Sequence, residues 1–527
     1  MEVPMADSTS TSRRKETKVN VNKLTAIECP VNGGNCSEAE LLLELGVEKR
    51  PDGLVHWTSD SKDHPRNWSA RRKAFDTTVI ILFEFYTTVI STTGAEVANI
   101  AGPEYGFDRR QALIAFTFMY QFGQAIGGCL IPPLSELVGR RIPYLVSCAA
   151  FSIFCLLIPL VPSPIVAYIG RFVTGFASAV PSVVIAGSVE DIFNTKRRVW
   201  ILILWNAGTT AGLCFGPIYA AYISASFTWK WVFYSAAIVT AVMFLALLGV
   251  KESRPSMLMR RKMHKLRANF GLTDLKWHNP DSSPNFRTMV DLVVIRPVHI
   301  LLTEPLVIMV AILSATSWGL IYLFTEFLIP VYMSIGFMRT QASLSFLGIV
   351  VGVLFTFMPR LWDERVIRAR QRRQEHVEPE DKIMGFAFAA PALAMGLAWF
   401  AWTIPPFVAN PHWVVPTLAL IPIGFAVNEI AYTMSGYLAD SYLLYSASAF
   451  SGLAFVRALV SGLMPLIALE MYGGLNANIA GTILACISAV FCVAPWIFFR
   501  FSKRLRQKSP FACYSLDNHR RTQVEED

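Results

Sequence analysis

Phe75-Asp-Thr-Thr-Val-Ile-Ile-Leu-Phe-Glu84-Phe-Tyr-Thr-Thr-Val-Ile-Ser-Thr-Thr-Gly-Ala-Glu-Val-Ala98 is an apolar run with a glutamate near its middle. About 20 apolar residues in a helix cross the roughly 30 Å hydrocarbon core of a bilayer. Lipid offers exposed backbone groups no partner, so such a run is helical. Glu84 is too short to reach water from that depth. A charge there costs roughly 3 kcal/mol or more on insertion scales, so it faces a cavity or a partner. Thr88 and Ser91/Thr92 follow on the same helical face, with Thr87 beside them. A polar stripe on an apolar helix faces protein or water rather than lipid.

Eleven further runs accompany this one in a chain of 527 residues, 53% hydrophobic and 16% charged. Mean hydropathy is +0.43, above what a soluble domain of this size tolerates. The expected spans are 75–98, 111–134, 142–162, 164–189, 199–223 and 230–250, then 302–331, 341–362, 384–404, 413–438, 442–468 and 478–500. The fold class is therefore an all-α membrane protein of twelve transmembrane helices, six and then six. This is the hydropathy signature of paired transporter halves, although no sequence repeat is visible between them. Five charged residues fall on five different spans: Glu84, Arg171, Glu326, Glu429 and Arg457. Together they suggest a polar pathway through a helical bundle.

Lys and Arg set the orientation. Of 47, the termini side of the twelve spans holds 41 and the opposite side 4. Both termini are expected in the cytoplasm, and the net charge of +9 is mostly this topology signal. Membrane lipids are the expected partner of that charge, and nucleic acid is not. The nine cysteines avoid the expected external loops and show neither a disulfide framework nor zinc spacing. They are read as cytosolic or lipid-packed thiols, with no metal site. The polar start of the chain shows no cleavable signal peptide. The sequons at Asn35 and Asn67 lie on the cytoplasmic side, away from glycosylation.

The chain divides into a disordered tail at 1–66, a first half at 67–250, a cytoplasmic amphipathic linker at 251–301, a second half at 302–500 and a tail at 501–527. A short helix is allowed at Glu38–Leu45. In the linker Met257, Leu258, Met263 and Leu266 alternate with Arg260, Arg261, Lys262, Lys265 and Arg267, a pattern suited to the inner membrane surface. Residues 363–382 read as a charged loop.

The loop after the second span reads Gly127-Gly-Cys-Leu-Ile-Pro-Pro-Leu-Ser-Glu136-Leu-Val-Gly139-Arg140-Arg141. Glycine permits a tight turn, the Arg pair anchors it, and Glu136 can pair with an Arg or cap the next helix. Other markers follow in order. Asn67-Trp68-Ser69 precedes span 1, Gly170-Arg171-Phe172-x-x-Gly175 opens span 4, and Trp229-Lys230-Trp231 opens span 6. Glu252-Ser-Arg-Pro follows span 6, Tyr437-x-x-Asp440-x-Tyr442 ends span 10, and Arg457 and Pro465-Leu466 lie in span 11.

These residues resemble the major facilitator superfamily over about 65–500, most of all its fungal twelve-span drug:proton antiporter branch, which includes polyamine and multidrug exporters. The resemblance implies two pseudo-symmetric six-helix bundles whose spans 1, 4, 7 and 10 line a central cavity. Glu84, Arg171, Glu326 and Glu429 fall one on each of those spans. It implies a proton-coupling role for Arg171, with snorkelling at a span end as the alternative, and Glu326 fits the family pattern. A buried carboxyl favours its neutral form and so can exchange a proton. Glu84 is the first choice for that task, with a structural hydrogen-bonded role as its alternative. Glu429, beside Asn428, would tune substrate choice. Three acids against one Arg would favour cations. Asp440 and Arg457 match the family's residues and are read as a structural pair or a helix-end gate. Phe83, Tyr86, Phe116, Tyr120, Trp205, Trp318, Tyr322, Phe324 and Tyr432 offer walls for an amphiphilic pocket, or merely helix packing.

Span 5 departs from the family's antiporter motif. It reads Gly212-Leu-Cys-Phe-Gly216-Pro217-Ile-Tyr-Ala220-Ala221 and lacks the first proline and the final glycines. Gly208, Gly212, Gly216 and Ala220 still form one small-residue face, and Pro217 can kink the helix. Close packing and a part in antiport both fit.

The expected function is export of a small amphiphilic or cationic organic molecule by proton antiport with alternating access, from the plasma membrane and as a monomer. Expected substrate contacts are Glu84, Thr88, Tyr322, Glu326, Asn428, Glu429 and Tyr432. No cofactor is expected. The competing readings are an importer or uniporter of the same fold, a non-transporting sensor, and a membrane enzyme. The last needs clustered ligands or a nucleophile with a base, and only His299 and His412 lie near span ends, on opposite sides.

Overall fold

A computed structural model describes residues 27–28, 35–36, 38–50, 53–270, 275–277, 290–373, 379–442, 445–509 and 511. Among them, twelve helices are long and apolar enough to cross a membrane. Spans 1 to 6 are Ala70–Tyr105, Arg109–Val138, Arg141–Leu160, Pro164–Ile192, Arg197–Ser226 and Lys230–Leu248. Spans 7 to 12 are Pro305–Ser334, Arg339–Arg370, Met384–Thr403, Val414–Tyr442, Ser446–Gly474 and Ala477–Ser502. All belong to one compact unit, formed by the described residues from His64 to Leu258 and from Val290 onward.

The repeat hidden in the sequence is visible in the packing. In the first half span 2 lies along span 4, span 3 along spans 4 and 6, and span 1 along span 5. In the second half span 8 lies along span 10, span 9 along spans 10 and 12, and span 7 along span 11. Adding six to each number converts one set into the other. The contacts between halves obey the same rule, since span 2 meets span 11 and span 5 meets span 8.

Glycines make the matching crossings. A Cβ on Gly123 would strike the Phe172 carbonyl and one on Gly175 the Tyr120 carbonyl, where spans 2 and 4 cross. Gly352 and Gly424 stand likewise against the Ile421 and Ile349 carbonyls, where spans 8 and 10 cross. Backbone cannot step aside as a flexible side chain can. Gly175→Val is therefore expected to cost at least roughly 1–3 kcal/mol of packing, read as a lower melting temperature or loss of a monodisperse peak in size-exclusion chromatography. Of the expected small face on span 5, Gly212 and Gly216 do pack on span 1, against Thr88 and Thr92, whereas Gly208 faces open space. The helix runs unbroken through Pro217.

The signature loop is built around Gly139, whose φ of 98° is open to glycine and strained for other residues. A Cβ there would also strike the Glu252 carboxylate. That carboxylate accepts from the Arg140 and Arg141 backbone N–H groups at 2.8 and 3.1 Å and so caps span 3. Glu136, expected to pair with an Arg or to cap, takes the first role, 3.8 Å from Arg254. The Arg140 side chain bonds Ser135 at 2.7 Å and Asp191 at 3.3 Å. Arg141 reaches the Leu248 carbonyl at 2.8 Å.

A second unit joins the described residues up to Asp63 with those of the linker between Met259 and Trp277. Helix Glu38–Glu44 is followed by antiparallel strands Val47–Lys49 and Leu54–Trp57, and Leu54–Val55 pair in parallel with Lys276–Trp277. Leu42, Val47, Val55, Met259, Met263, Leu266 and Leu275 form its buried cluster. This corrects the expectation of a disordered tail for its described residues 38–50 and 53–63. Their few apolar side chains find partners some 200 residues away in the linker. It also changes the linker, because Met263 and Leu266, read as facing the membrane surface, are covered by protein while Arg260, Arg261 and Lys265 stay exposed. Residues 1–26, 271–274 and 512–527, parts of the expected tails and linker, lie outside the described residues. The charged stretch 363–382, expected as a loop, continues as helix to Arg372.

Candidate functional site

Two sets of uncharged polar groups meet where the two halves touch. Midway along this seam Ser91 of span 1 and Gln121 of span 2 both bond the Tyr322 hydroxyl of span 7, at 2.8 and 2.6 Å. Asn206 and Thr210 of span 5 both donate to the Asn428 side-chain oxygen of span 10, each at 2.7 Å, and Asn428 donates to Thr356 of span 8 at 3.1 Å. All of these groups are uncharged.

Glu84 is buried in the first half, and its Oε2 has no hydrogen-bond partner. Its backbone carbonyl accepts from Thr87 and Thr88 at 2.9 and 3.0 Å. Arg457 of the other half acts on it through its charge without closing an ion pair. The Arg457 guanidinium lies over the Trp318 ring, 4.1 Å from its centre. It also lines a narrow crevice with Gln124, Gly128, Ala179, Ser182, Val183, Ala454 and Ala458. Spans 2 and 4 of one half and span 11 of the other supply those residues.

Arg171 does not snorkel. It is wholly buried, donating to the Phe116 carbonyl at 2.7 Å and lying 4.5 Å from the Tyr120 ring centre. Among the described residues no carboxylate pairs with it.

The other acids sit elsewhere. Asp108 and Gln111 form a reciprocal cap at the start of span 2 that places Arg109 and Arg110 in its first turn. Arg109 pairs with Glu326 across the seam, Arg339 with Glu96 at 2.7 Å, and Arg110 with Glu470. All three bridges join one half to the other, on the face opposite the termini. Among the described residues, ion pairs on the termini face stay within one half: Arg140–Asp191, Arg360–Glu429, Lys382–Asp440 and Arg506–Glu380.

Several expectations change accordingly. Glu84, Glu326 and Glu429 do not share one vestibule; each lies at its own place with its own arginine. The cation-favouring count of three acids against one Arg fails, because Arg109 and Arg360 come from span ends assigned to topology alone. Glu429 and Tyr432 belong to an internal cluster of the second half, where Arg360 pairs with Glu429 and stacks 4.6 Å from the Tyr432 ring centre. Thr88 packs at the crossing of spans 1 and 5 instead of facing the seam. Asp440 pairs with Lys382 at 2.5 Å, so Asp440 and Arg457 are not partners. Tyr322 and Asn428 do stand on the seam. Ser91 was noticed only as part of a stripe. Gln121, Asn206, Thr210, Thr356 and Glu96 carry no expectation from the sequence, although a mid-span amide is a legible signal in apolar sequence.

Two equivalent six-helix halves meeting on a buried polar seam define a membrane transporter of the paired-repeat kind. The family profile of the Major Facilitator Superfamily matches residues 79–465, and the chain belongs to that family. It is 28% identical to multidrug transporter TPO1_2 of Candida glabrata over 86% of this chain and 78% of that one. It is 26% identical to efflux pump radE of Floropilus chiversii over 95% of this chain and 93% of that one. Its fold matches the xylose transporter XylE of E. coli with a TM-score of 0.58 at 14% identity, covering 82% of this chain and 98% of XylE. The human organic anion transporter MFSD10 matches with a TM-score of 0.57 at 15% identity, covering 80% and 99%.

Proposed function

We propose that this chain exports small amphiphilic organic molecules from the cell, driven by inward proton flow through alternating access. The observation that carries the proposal is Glu84, a buried carboxyl with an unpartnered oxygen that feels the charge of Arg457 across the seam. A proton on Glu84 removes the charge that balances Arg457, and an unbalanced buried cation is costly. The seam then favours a different arrangement of the halves. A proton gradient can thus be spent on moving one half against the other. Relatives named as multidrug transporters and efflux pumps support the outward direction. The Lys and Arg distribution supports cytoplasmic termini. A single chain holds both halves, which supports a monomer, and the plasma membrane is the site where export clears a cell.

Full-length protein in sealed vesicles, loaded with a panel of amphiphilic dyes under imposed pH gradients, tests this. Antiport requires dye flux opposite to the proton gradient and reversal when the gradient is reversed. Flux in the same direction as protons would make the chain an importer, and indifference to the gradient a uniporter.

A further inference from the structure

The crevice beside Arg457 has a chemistry that nothing above assigns. Three of its lining residues carry polar side chains: Arg457, Gln124 and Ser182. Among the described residues none of the three has a hydrogen-bond partner. The guanidinium contributes five N–H donors, the amide two and the hydroxyl one. Such donors persist inside protein only where water or a ligand supplies acceptors. The other lining residues are Gly128, Ala179, Val183, Ala454 and Ala458, all small and apolar.

The charge balance restricts the ligand further. In the deprotonated state of Glu84, which the transport reading requires for capture, its charge and that of Arg457 act on each other across the seam and sum to zero. A cationic group placed in the crevice meets Arg457 directly. An anionic group competes with Glu84 for the same arginine and leaves one negative charge unbalanced in low dielectric. An uncharged acceptor oxygen satisfies the free N–H groups and leaves the sum at zero. The crevice is narrow, with room for about one water-sized group, far less than sites that enclose whole drug-sized ligands. It suits one functional group of a larger molecule.

We propose that this crevice is the polar subsite for an uncharged carbonyl-bearing amphiphile, a ketone, ester, lactone or amide, whose oxygen accepts from Arg457 with Gln124 and Ser182 beside it. The inference rests on the transport reading above and names the substrate class for it.

Four naphthalenes of similar shape test the proposal: 2-acetylnaphthalene, 2-isopropenylnaphthalene with C=CH2 replacing C=O, 2-naphthoate and 2-naphthamidine. Binding to the purified full-length chain is measured by isothermal titration calorimetry. The ketone is expected to bind at least about tenfold more tightly than each of the others, the scale of one charge-assisted hydrogen bond. Arg457→Gln is expected to remove that advantage while changing the alkene's affinity less than about twofold. The wild-type ranking needs no variant to fold. The proposal is overturned if the acid or the amidine matches the ketone, if the alkene matches it, if none binds, or if Arg457→Gln keeps the preference. The expected ranking without gradient-driven flux would sink the transport reading and leave the subsite standing. Gradient-driven flux with the ranking reversed would do the opposite.

Discussion

Glu84→Gln leaves a folded protein whose transport no longer responds to an imposed pH gradient, with gradient-driven flux reduced at least about tenfold. The two halves of this expectation have separate causes. Glutamine has nearly the shape of glutamate and cannot titrate, so it fixes the uncharged form. Folding survives because the Oε2 atom of Glu84 makes no hydrogen bond, and the carbonyl oxygen of a glutamine can still accept from Thr87 at the other position. The contacts at this turn come from Thr87 and Thr88 to the Glu84 backbone, which the substitution leaves in place. Glutamine reproduces the protonated state, in which Arg457 lacks its balancing charge, so the melting temperature should hold or fall modestly. A merely structural Glu84 predicts another pattern, with coupling intact and stability lowered more. Glu84→Asp keeps a titrating group one methylene short and should retain part of the response. The measurement is flux into sealed vesicles across opposite pH gradients, beside thermal unfolding of the same preparations. A Gln variant that still follows the gradient would remove Glu84 from the mechanism.

The architecture was legible because the bilayer imposes a length and a helical backbone on every crossing. All twelve expected spans exist, yet their ends were misjudged. Span 1 runs on to Tyr105 and span 8 to Arg370, since helices continue past the hydrocarbon where hydropathy has already fallen. The repeat was invisible because it lies in which helix meets which. The glycines that make crossings possible look alike to a reader who does not know their partners. The charges taught the opposite lesson. Depth alone identified Glu84, Arg171, Glu326, Glu429 and Arg457 as buried or half-buried. It could not say that Arg109 and Arg360, near span ends, would turn inward to meet two of the acids. Nor could it separate Tyr322 and Asn428, which bridge the halves, from Tyr432, which serves one half. The uncharged bridge of Asn206, Thr210 and Thr356 is not legible from charge, because short polar side chains are common in apolar helices.

Glu326→Gln should shift the molecule toward a form open on the face opposite the termini. Three ion pairs hold the halves together there, and two of them form one cluster. Arg109 bonds Glu326, Arg339 bonds Glu96, and Glu326 feels the charges of Glu96 and Arg339 as well. Glu96 and Glu326 are almost fully buried at their side chains, with exposures of 3% and 6%, so these pairs escape most of the solvent screening that weakens surface bridges. The third pair, Arg110 with Glu470, is exposed at 62% and 64% and should contribute little. Neutralising Glu326 leaves Arg109 half-buried without its partner, and water then reaches Arg109 most easily if the halves part. A cost of about 1–3 kcal/mol to the closed form moves the open-to-closed ratio by roughly 5- to 150-fold. Spin-label distances between span 1 and span 7 near that face would report it, lengthening in Glu326→Gln and in Arg109→Gln alike. Arg110→Gln is the control, with a much smaller change. The exchanged pair Arg109→Glu with Glu326→Arg should close the face again, because it restores attraction across the seam with reversed polarity. If both single variants leave the distances unchanged, the halves are held by the uncharged bridges through Tyr322 and Asn428. The charged cluster would then be packing and not a gate.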